Sequence, residues 1–147
     1  MVFSFQCFSF QNVMATQTFE DLEVWKRACR QAVAVYRTLE TCRDFSLKDQ
    51  MQRAAVSVPS NIAEGHERDA QKDFIRFLRI AKGSNAELRT QIYIAAELSH
   101  LDRDAMRTMT RESKEIAAML QGLIKALKRM QLSSPASAEA AELKTEN

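Results

Sequence analysis

The sequence predicts an all-α protein, an up-down-up-down antiparallel four-helix bundle with disordered tails. Only three glycines and two prolines occur among 147 residues, which favours few turns and long helices. Apolar residues recur at alternating steps of three and four in four separate stretches, the spacing of helices that pack at small crossing angles. Because only a few residues separate these stretches, consecutive helices are expected to be antiparallel neighbours.

The first two helices each have an apolar stripe and a start signal. The first is predicted to begin at the capping-box-like residues 18–21, Thr-Phe-Glu-Asp. Its stripe is Leu22, Trp25, Cys29, Ala32, Tyr36 and Leu39. The second helix is predicted to begin at residues 46–49 and to end at Gly65, with this glycine in the left-handed conformation. Its stripe is Leu47, Met51, Ala54, Val58 and Ile62.

The third helix is predicted over about residues 69–98, and the fourth begins near Asp102. The stripe of the third helix is Phe74, Phe77, Ala81, Ser84, Leu88, Ile92 and Ala95. That of the fourth is Met106, Met109, Ser113, Ile116, Leu120, Leu123, Leu127 and Met130. The bundle therefore spans residues 18–131 as one domain. Residues 1–17 are predicted to be an unstructured or mis-assigned extension that carries no charge. Residues 133–142 lack large apolar side chains, so residues 132–147 are predicted to be a disordered tail.

Two helices contain residues that disfavour a helix. Pro59 has no N–H to donate to the carbonyl of Ala55, so the second helix should be kinked there, with Ser57, Ser60 and Asn61 supplying replacement hydrogen bonds. Gly83 lowers the helix propensity of the third helix, which would be offset if it allowed a neighbouring helix to approach closely. Both features are interpreted as packing devices.

No set of residues indicates catalysis, a metal site or a cofactor. Glu97 and His100 have the Glu-x-x-His spacing of di-iron bundles, but the motif occurs once and Glu97 falls opposite the apolar stripe. Neither histidine accompanies a nucleophile, and the isolated glycines form no phosphate loop. Glu64 and Glu67 are interpreted as a charged helix end, with Glu64 paired to a nearby cation. We therefore expect no enzyme activity.

The cysteines and the hydropathy pattern predict the compartment. Cys7, Cys29 and Cys42 are odd in number and far apart, as is typical of reduced thiols in a cytoplasmic protein. No stretch approaches the roughly 20 apolar residues of a membrane span. The prediction is a cytoplasmic protein without a membrane anchor.

A basic stripe is the main candidate binding surface. Four cations of the third helix and the turn before it fall within about 80° of arc, opposite the apolar face. They are Arg68, Lys72, Arg76 and Arg79. Such a stripe can follow nucleic-acid phosphates, can bind an acidic protein, or can be an ordinary solvated face. No aromatic residue is interleaved in it, which argues against stacking on single-stranded bases.

Apolar residues beyond the bundle stripes predict an oligomer. On the first helix they spread from Val24 and Val35 through the stripe to Val33, an arc of about 180°, wider than one bundle needs. Ile80 and Ile94 likewise lie off the apolar face of the third helix. A second apolar contact, repeated by cyclic symmetry, would bury these side chains.

Several segments resemble the family of proteins encoded in 23S rRNA intervening sequences, to which the accessory variability-determinant proteins of diversity-generating retroelements are similar. The segments are residues 19–25, 50–53, 61–65, 81–84 and 87–88, with Arg68, Phe74 and Phe77. The resemblance covers about residues 19–130. It implies a bacterial cytosolic four-helix bundle that assembles as a homopentamer, with RNA or DNA as partner, since the retroelement relatives bind nucleic acid and a reverse transcriptase through a basic surface.

Two functions follow from these observations. The first is a non-enzymatic oligomeric bundle that binds nucleic acid without sequence preference through Arg68, Lys72, Arg76 and Arg79. The second is an adaptor or scaffold that binds another protein and has no nucleic-acid ligand. This chain is less basic than a retroelement relative is expected to be, so the resemblance is closer to the intervening-sequence proteins.

Overall fold

The computed structural model describes residues 18–133, which form a short 3-10 turn and four α-helices. The turn is Phe19–Asp21, and the helices are α1 (Glu23–Thr38), α2 (Phe45–His66), α3 (Gln71–Glu97) and α4 (Arg103–Leu132). Within this range there is no strand, so the predicted all-α four-helix bundle is confirmed. The predicted extension at residues 1–17 lies outside the described residues, as do residues 134–147 of the predicted tail. Leu132, which was assigned to the tail, is instead the last residue of α4.

The helices begin close to the predicted residues, with two differences. The capping box of Thr18 and Asp21 is present, but it caps the 3-10 turn, and α1 begins only at Glu23. Asp44 caps α2, because its Oδ1 accepts a hydrogen bond from the Leu47 N–H at 3.1 Å. The helix therefore begins at Phe45, one residue before the predicted start at Ser46. The helix α4 begins next to Asp102, as predicted, and Asp102 caps it by accepting from the Ala105 N–H at 2.7 Å.

The core of the bundle follows the predicted stripes of α2, α3 and α4, whereas α1 is rotated. Val24, Ala28 and Val35 of α1 are buried, while Tyr36, predicted to be inside, is 49% exposed. The rotation places Gln31 inside the bundle, where its Nε2 donates to Asn85 Oδ1 at 3.1 Å. Two overlapping apolar stripes run along α1. The stripe with Val24, Ala28 and Val35 faces the core, and in this orientation the buried Gln31 amide is hydrogen-bonded to Asn85.

Gly65 does not end α2 in the left-handed conformation, so that prediction is wrong. No glycine in residues 18–133 has a positive φ, and α2 continues to His66. Instead, Gly65 is buried where α2 crosses α3, and an added Cβ would lie 2.5 Å from the Cβ of Phe77. The absence of a side chain therefore allows α2 and α3 to approach each other.

Gly83 does not have the role predicted for it either. It is exposed, and an added Cβ would meet no atom within 4 Å. The close helix approach assigned to Gly83 thus occurs at Gly65, on the preceding helix. Ser84, beside Gly83, does contact α2, because its Oγ lies 2.9 Å from Ser57 Oγ.

The helix α2 runs without a break through the buried Pro59. Ser60 Oγ donates to the Val56 carbonyl at 2.8 Å, and Asn61 Nδ2 donates to the Ser57 carbonyl at 2.8 Å. These side chains bond the two carbonyls that follow Ala55 rather than the Ala55 carbonyl itself. They hold the α2 backbone around the proline, and Asn61 joins the Ser57–Ser84 contact through a bond of 2.9 Å to Ser57 Oγ.

The C-terminal end of α3 is fixed by a Schellman motif and a side-chain hydrogen bond to the start of α2. Ser99 has φ of 60°, and the His100 N–H donates to the Ala95 carbonyl at 2.9 Å. His100 Nε2 then lies 3.1 Å from Asp44 Oδ2. The Leu47 N–H and His100 both favour the charged carboxylate and lower the pKa of Asp44. The start of α2 is thereby held against the end of α3.

Packing differs between neighbouring helices. The α2–α3 pair makes the most extensive contact and the α1–α4 pair the least extensive of the four neighbouring pairs. None of the helices within residues 18–133 combines the length and apolar character that crossing a bilayer requires. Cys29 and Cys42 are free thiols, and Cys7 lies outside the described residues.

Candidate nucleic-acid interface

The four predicted cations lie on one surface, as the helical wheel requires. Arg68 is in the connection between α2 and α3, and Lys72, Arg76 and Arg79 are on α3. All four are exposed, whereas the opposite face of α3 is buried. Their surroundings differ: Arg68 and Arg76 lie over one aromatic ring and Arg79 lines a groove, whereas Lys72 does neither.

Arg68 and Arg76 are held over the same aromatic ring. Their guanidinium carbons lie 5.1 and 4.9 Å from the centre of the Phe77 ring. Arg68 also pairs with Glu64 at 2.9 Å, which is the pairing predicted for that carboxylate. Phe77 is only 7% exposed, so its ring supports the two arginines but offers no face to a base.

Arg79 belongs to a groove between α3 and α4 that sequence analysis did not identify. The groove has a volume of about 470 Å³. Its lining consists of Arg79, Lys82, Gly83, Ala86, Gln121, Ile124 and Lys128. The lining thus includes three cations and no acidic side chain. Lys82 is positioned by a hydrogen bond of 2.6 Å from its Nζ to Gln121 Oε1.

The small residues of the groove explain its shape. Gly83 and Ala86 follow one another by three residues on α3, so they lie on one face of the helix and leave space beside the lysines. Gly83 is exposed and meets no neighbour. The signal that could have indicated the groove was the set of cations on α4, namely Lys125, Lys128 and Arg129. The sequence of α4 alone does not show which of them face α3, because this depends on how α4 is rotated about its axis.

Lys72, Arg79 and Lys128 are unneutralised cations. Within residues 18–133 none of the three takes part in an ion pair within 4 Å. Arg68 is the member of the predicted stripe whose charge is partly offset, through Glu64. Like these three, Arg76 makes no ion pair within 4 Å in the described residues, so four cations of this surface keep charges that no carboxylate at that distance offsets.

The residues considered for catalysis are not brought together as a reactive group. Glu67 lies 3.8 Å from His66 Nδ1, and the His66 ring packs edge-on against Phe74 with centroids 5.5 Å apart. Glu97 is exposed, as predicted. In the described part of the chain, no three or more His, Cys, Asp or Glu side chains are grouped so that they could hold a metal ion.

Comparison with known proteins gives a family and a fold. A family model described as 23S rRNA-intervening sequence protein matches residues 20–122. The chain is also similar to a 1.70 Å crystal structure of a protein with unknown function from the S23 ribosomal protein family of Bacteroides thetaiotaomicron VPI-5482. The two share 24% identity over 69% of this chain and 98% of the other, with a TM-score of 0.66. At that identity the similarity supports the fold alone. A comparison with curated proteins gives no match.

Proposed function

The chain belongs to the family of 23S rRNA-intervening sequence proteins, and we propose that it is a non-enzymatic, oligomeric bundle that binds the phosphate backbone of structured RNA or duplex DNA. The binding surface is the basic stripe of α3 together with the α3–α4 groove. The observation that carries this proposal is the groove itself, whose lining holds Arg79, Lys82 and Lys128 and no carboxylate.

The chemistry of the surface favours phosphates over bases. Lysine and arginine side chains supply most of the sequence-independent affinity for nucleic acid, because each phosphate contact releases condensed counterions. No aromatic residue lines the groove, and Phe77 is buried beneath its arginines, so stacking on bases is not part of the proposed binding mode. The proposed ligand is therefore recognised by its charge and shape.

Charge reversal in the groove tests this proposal. The double variant Arg79→Glu, Lys128→Glu changes two exposed, unpaired side chains and should leave the fold intact. We expect weaker retention of duplex DNA at about 50 mM salt and a log–log salt dependence flattened by about 0.9 for each phosphate that the variant no longer neutralises. Fluorescence anisotropy across a salt series measures both quantities.

A second double variant controls for net charge. Arg37→Glu, Arg53→Glu makes the same change in total charge on α1 and α2, away from the groove. Binding by this control should keep the wild-type salt slope. If wild-type protein shows no salt-dependent retention near 50 mM salt, the proposal fails and the adaptor function is preferred. The exposed side chains of Phe45 (70%) and Leu98 (54%), at the bundle end joined by Asp44 and His100, would then be the surface to examine.

Exposed apolar side chains support the proposed oligomer. Val33 and Tyr36 on α1 are 48% and 49% exposed, and Ile80 and Ile94 on α3 are 42% and 46% exposed. Val24 and Val35, which were counted with them in the sequence, are part of the core and contribute nothing to this surface. The remaining side chains are those that a contact between copies would cover, and the family resemblance implies five copies.

We expect light scattering at micromolar concentration to give a mass several times that of the 16.8 kDa chain. Replacing Val33 and Ile94 with lysine should reduce that mass without lowering helix content, because both side chains are already about half exposed. A monomer mass for the wild-type protein would contradict the oligomer but not the groove.

A further inference from the structure

A second groove lies on the other side of α4, between α4 and α1. It has a volume of about 540 Å³, within the range of about 300–1,000 Å³ typical of small-molecule sites. Its α1 side is Arg27, Arg30, Gln31 and Ala34, and its α4 side is Thr108, Met109, Arg111, Glu112 and Glu115. Gln31 and Met109 are buried, so they form the floor, and Arg30 and Arg111 are exposed at the rim.

The floor contains a hydrogen-bond acceptor whose orientation is fixed. The Ser113 main-chain carbonyl can only accept, so Asn85 directs its Nδ2 toward it, at 2.7 Å. Asn85 Oδ1 must then face Gln31, which donates from Nε2 at 3.1 Å. Turning the Gln31 amide over would place two oxygens against each other. Gln31 Oε1 is thereby left without a donor, although the residue is only 3% exposed.

Such an acceptor is unfavourable unless something donates to it. A buried polar atom without a hydrogen bond costs about 1–3 kcal/mol, and few occur in native proteins. The amide is held by α3 and α4, which prevents it from turning away. A ligand that enters the α1–α4 seam with an N–H group can supply the missing bond.

The charged side chains around the floor select the rest of the ligand. Arg27 is neutralised by bidentate hydrogen bonds to Glu112 at 2.8 and 2.7 Å and by a further bond to Glu115. The Arg27 hydrogen bond lowers the pKa of Glu112, so both partners stay charged. Arg111 makes no ion pair within residues 18–133, and Arg30 pairs only with the exposed Glu23 at 3.1 Å. The rim therefore presents positive charge above an apolar floor that holds one acceptor.

From this arrangement we propose that the α1–α4 groove binds a nucleoside monophosphate, either free or as one nucleotide of a strand. The base lies against Met109 and donates an amino N–H to Gln31 Oε1, and the phosphate is bound by Arg111 and Arg30. Gln31 Oε1 is covered in this structure, so binding requires rim side chains to move apart.

This site is separate from the α3–α4 groove and does not depend on it. The two grooves occupy opposite flanks of α4, and their α4 residues, 108–115 and 121–128, are displaced by about 20 Å along the helix. The Arg79→Glu, Lys128→Glu protein is therefore the background in which to measure binding to the α1–α4 groove alone.

The test uses adenosine 5′-monophosphate and a short oligoadenylate, titrated by NMR or calorimetry into that background. We expect saturable binding of at least one of them with a Kd below about 1 mM. Gln31→Leu should weaken it about tenfold or more, because the acceptor is removed. The same substitution should keep the melting temperature or raise it, since Asn85 Oδ1 still accepts from Ser113 Oγ at 3.1 Å.

The outcomes separate the two sources of the ligand. Binding of the free nucleotide that Gln31→Leu weakens about tenfold or more supports a free-nucleotide site. Binding of only the oligonucleotide, weakened to the same extent in that variant, supports a nucleotide within a strand. Inorganic phosphate, tested alone, should bind at least tenfold more weakly than either. The proposal is overturned if neither probe binds or if inorganic phosphate binds as tightly as the nucleotides. It is also overturned if Gln31→Leu leaves binding unchanged, because water would then be the donor to the Gln31 amide oxygen.

Discussion

Gly65→Ala is expected to lower the stability of the bundle by about 1–3 kcal/mol, and Gly65→Val by more, because both overpack the contact between α2 and α3. The new Cβ would lie 2.5 Å from Phe77 Cβ and 3.0 Å from Phe74 Cδ2. The Phe77 Cβ is attached to the α3 backbone and cannot move alone, so the two helices must separate. Urea unfolding followed by circular dichroism measures the effect.

Gly83→Ala is the matched control for this prediction. It adds the same methyl group to a helical glycine, but at an exposed position where no atom lies within 4 Å. Alanine is the better helix former by about 1 kcal/mol, so this variant should be more stable than the wild type. If both variants shift the urea midpoint in the same direction, close packing at Gly65 is not the reason for its glycine.

The contrast between the glycines shows which features a single sequence can predict. The number of helices and the start of α4 near Asp102 depend on local spacing and were predicted correctly. The role of Gly65 depends on how closely α2 approaches α3 where the two helices cross. The sequence of one helix does not determine this distance between the helices. A glycine near a helix end is commonly a left-handed cap. Here, however, Phe74 and Phe77 of α3 lie so close to Gly65 that they leave no room for a side chain.

The same reasoning applies to the candidate binding surface. Arg68, Lys72, Arg76 and Arg79 could be placed on one exposed arc because they follow a single helical repeat. The groove of Arg79 with Lys82 and Lys128 could not, because it requires the rotation of α4 about its axis relative to α3. The rotation of α1, which places Tyr36 outside, was not predicted for a related reason. Two apolar stripes on α1 could each face the core, and the observed one is accompanied by the hydrogen bond from Gln31 to Asn85 on α3.

That contact is part of a buried polar network that no periodicity predicts. Gln31, Asn85 and Ser113 come from α1, α3 and α4, and each is buried. Asn85 lies at its centre, with Nδ2 bonded to the Ser113 carbonyl and Oδ1 accepting from Gln31 and Ser113 Oγ. In the sequence Asn85 is one polar residue beside Ser84 in a helix. Its importance depends on three helices meeting at one point.

Asn85→Leu is therefore expected to destabilise the protein by about 2 kcal/mol or more, because it leaves Gln31 with both polar atoms of its amide buried and unpaired. The Ser113 carbonyl is less affected, since it also accepts within α4, and Ser113 Oγ remains 3.4 Å from the main-chain carbonyl of residue 85. The destabilisation thus arises mainly from the Gln31 amide, which is left buried without a hydrogen-bond partner.

The double variant Gln31→Leu, Asn85→Leu distinguishes this cause from poor packing of the new leucine. It removes the stranded amide together with its partner, so it should recover most of the stability that Asn85→Leu loses, although it carries more changes. The sum of the single effects would then exceed the effect of the double variant. If the two effects simply add in urea unfolding, the buried amide contributes nothing particular, and the leucine at position 85 is destabilising because it does not fit between α3 and α4.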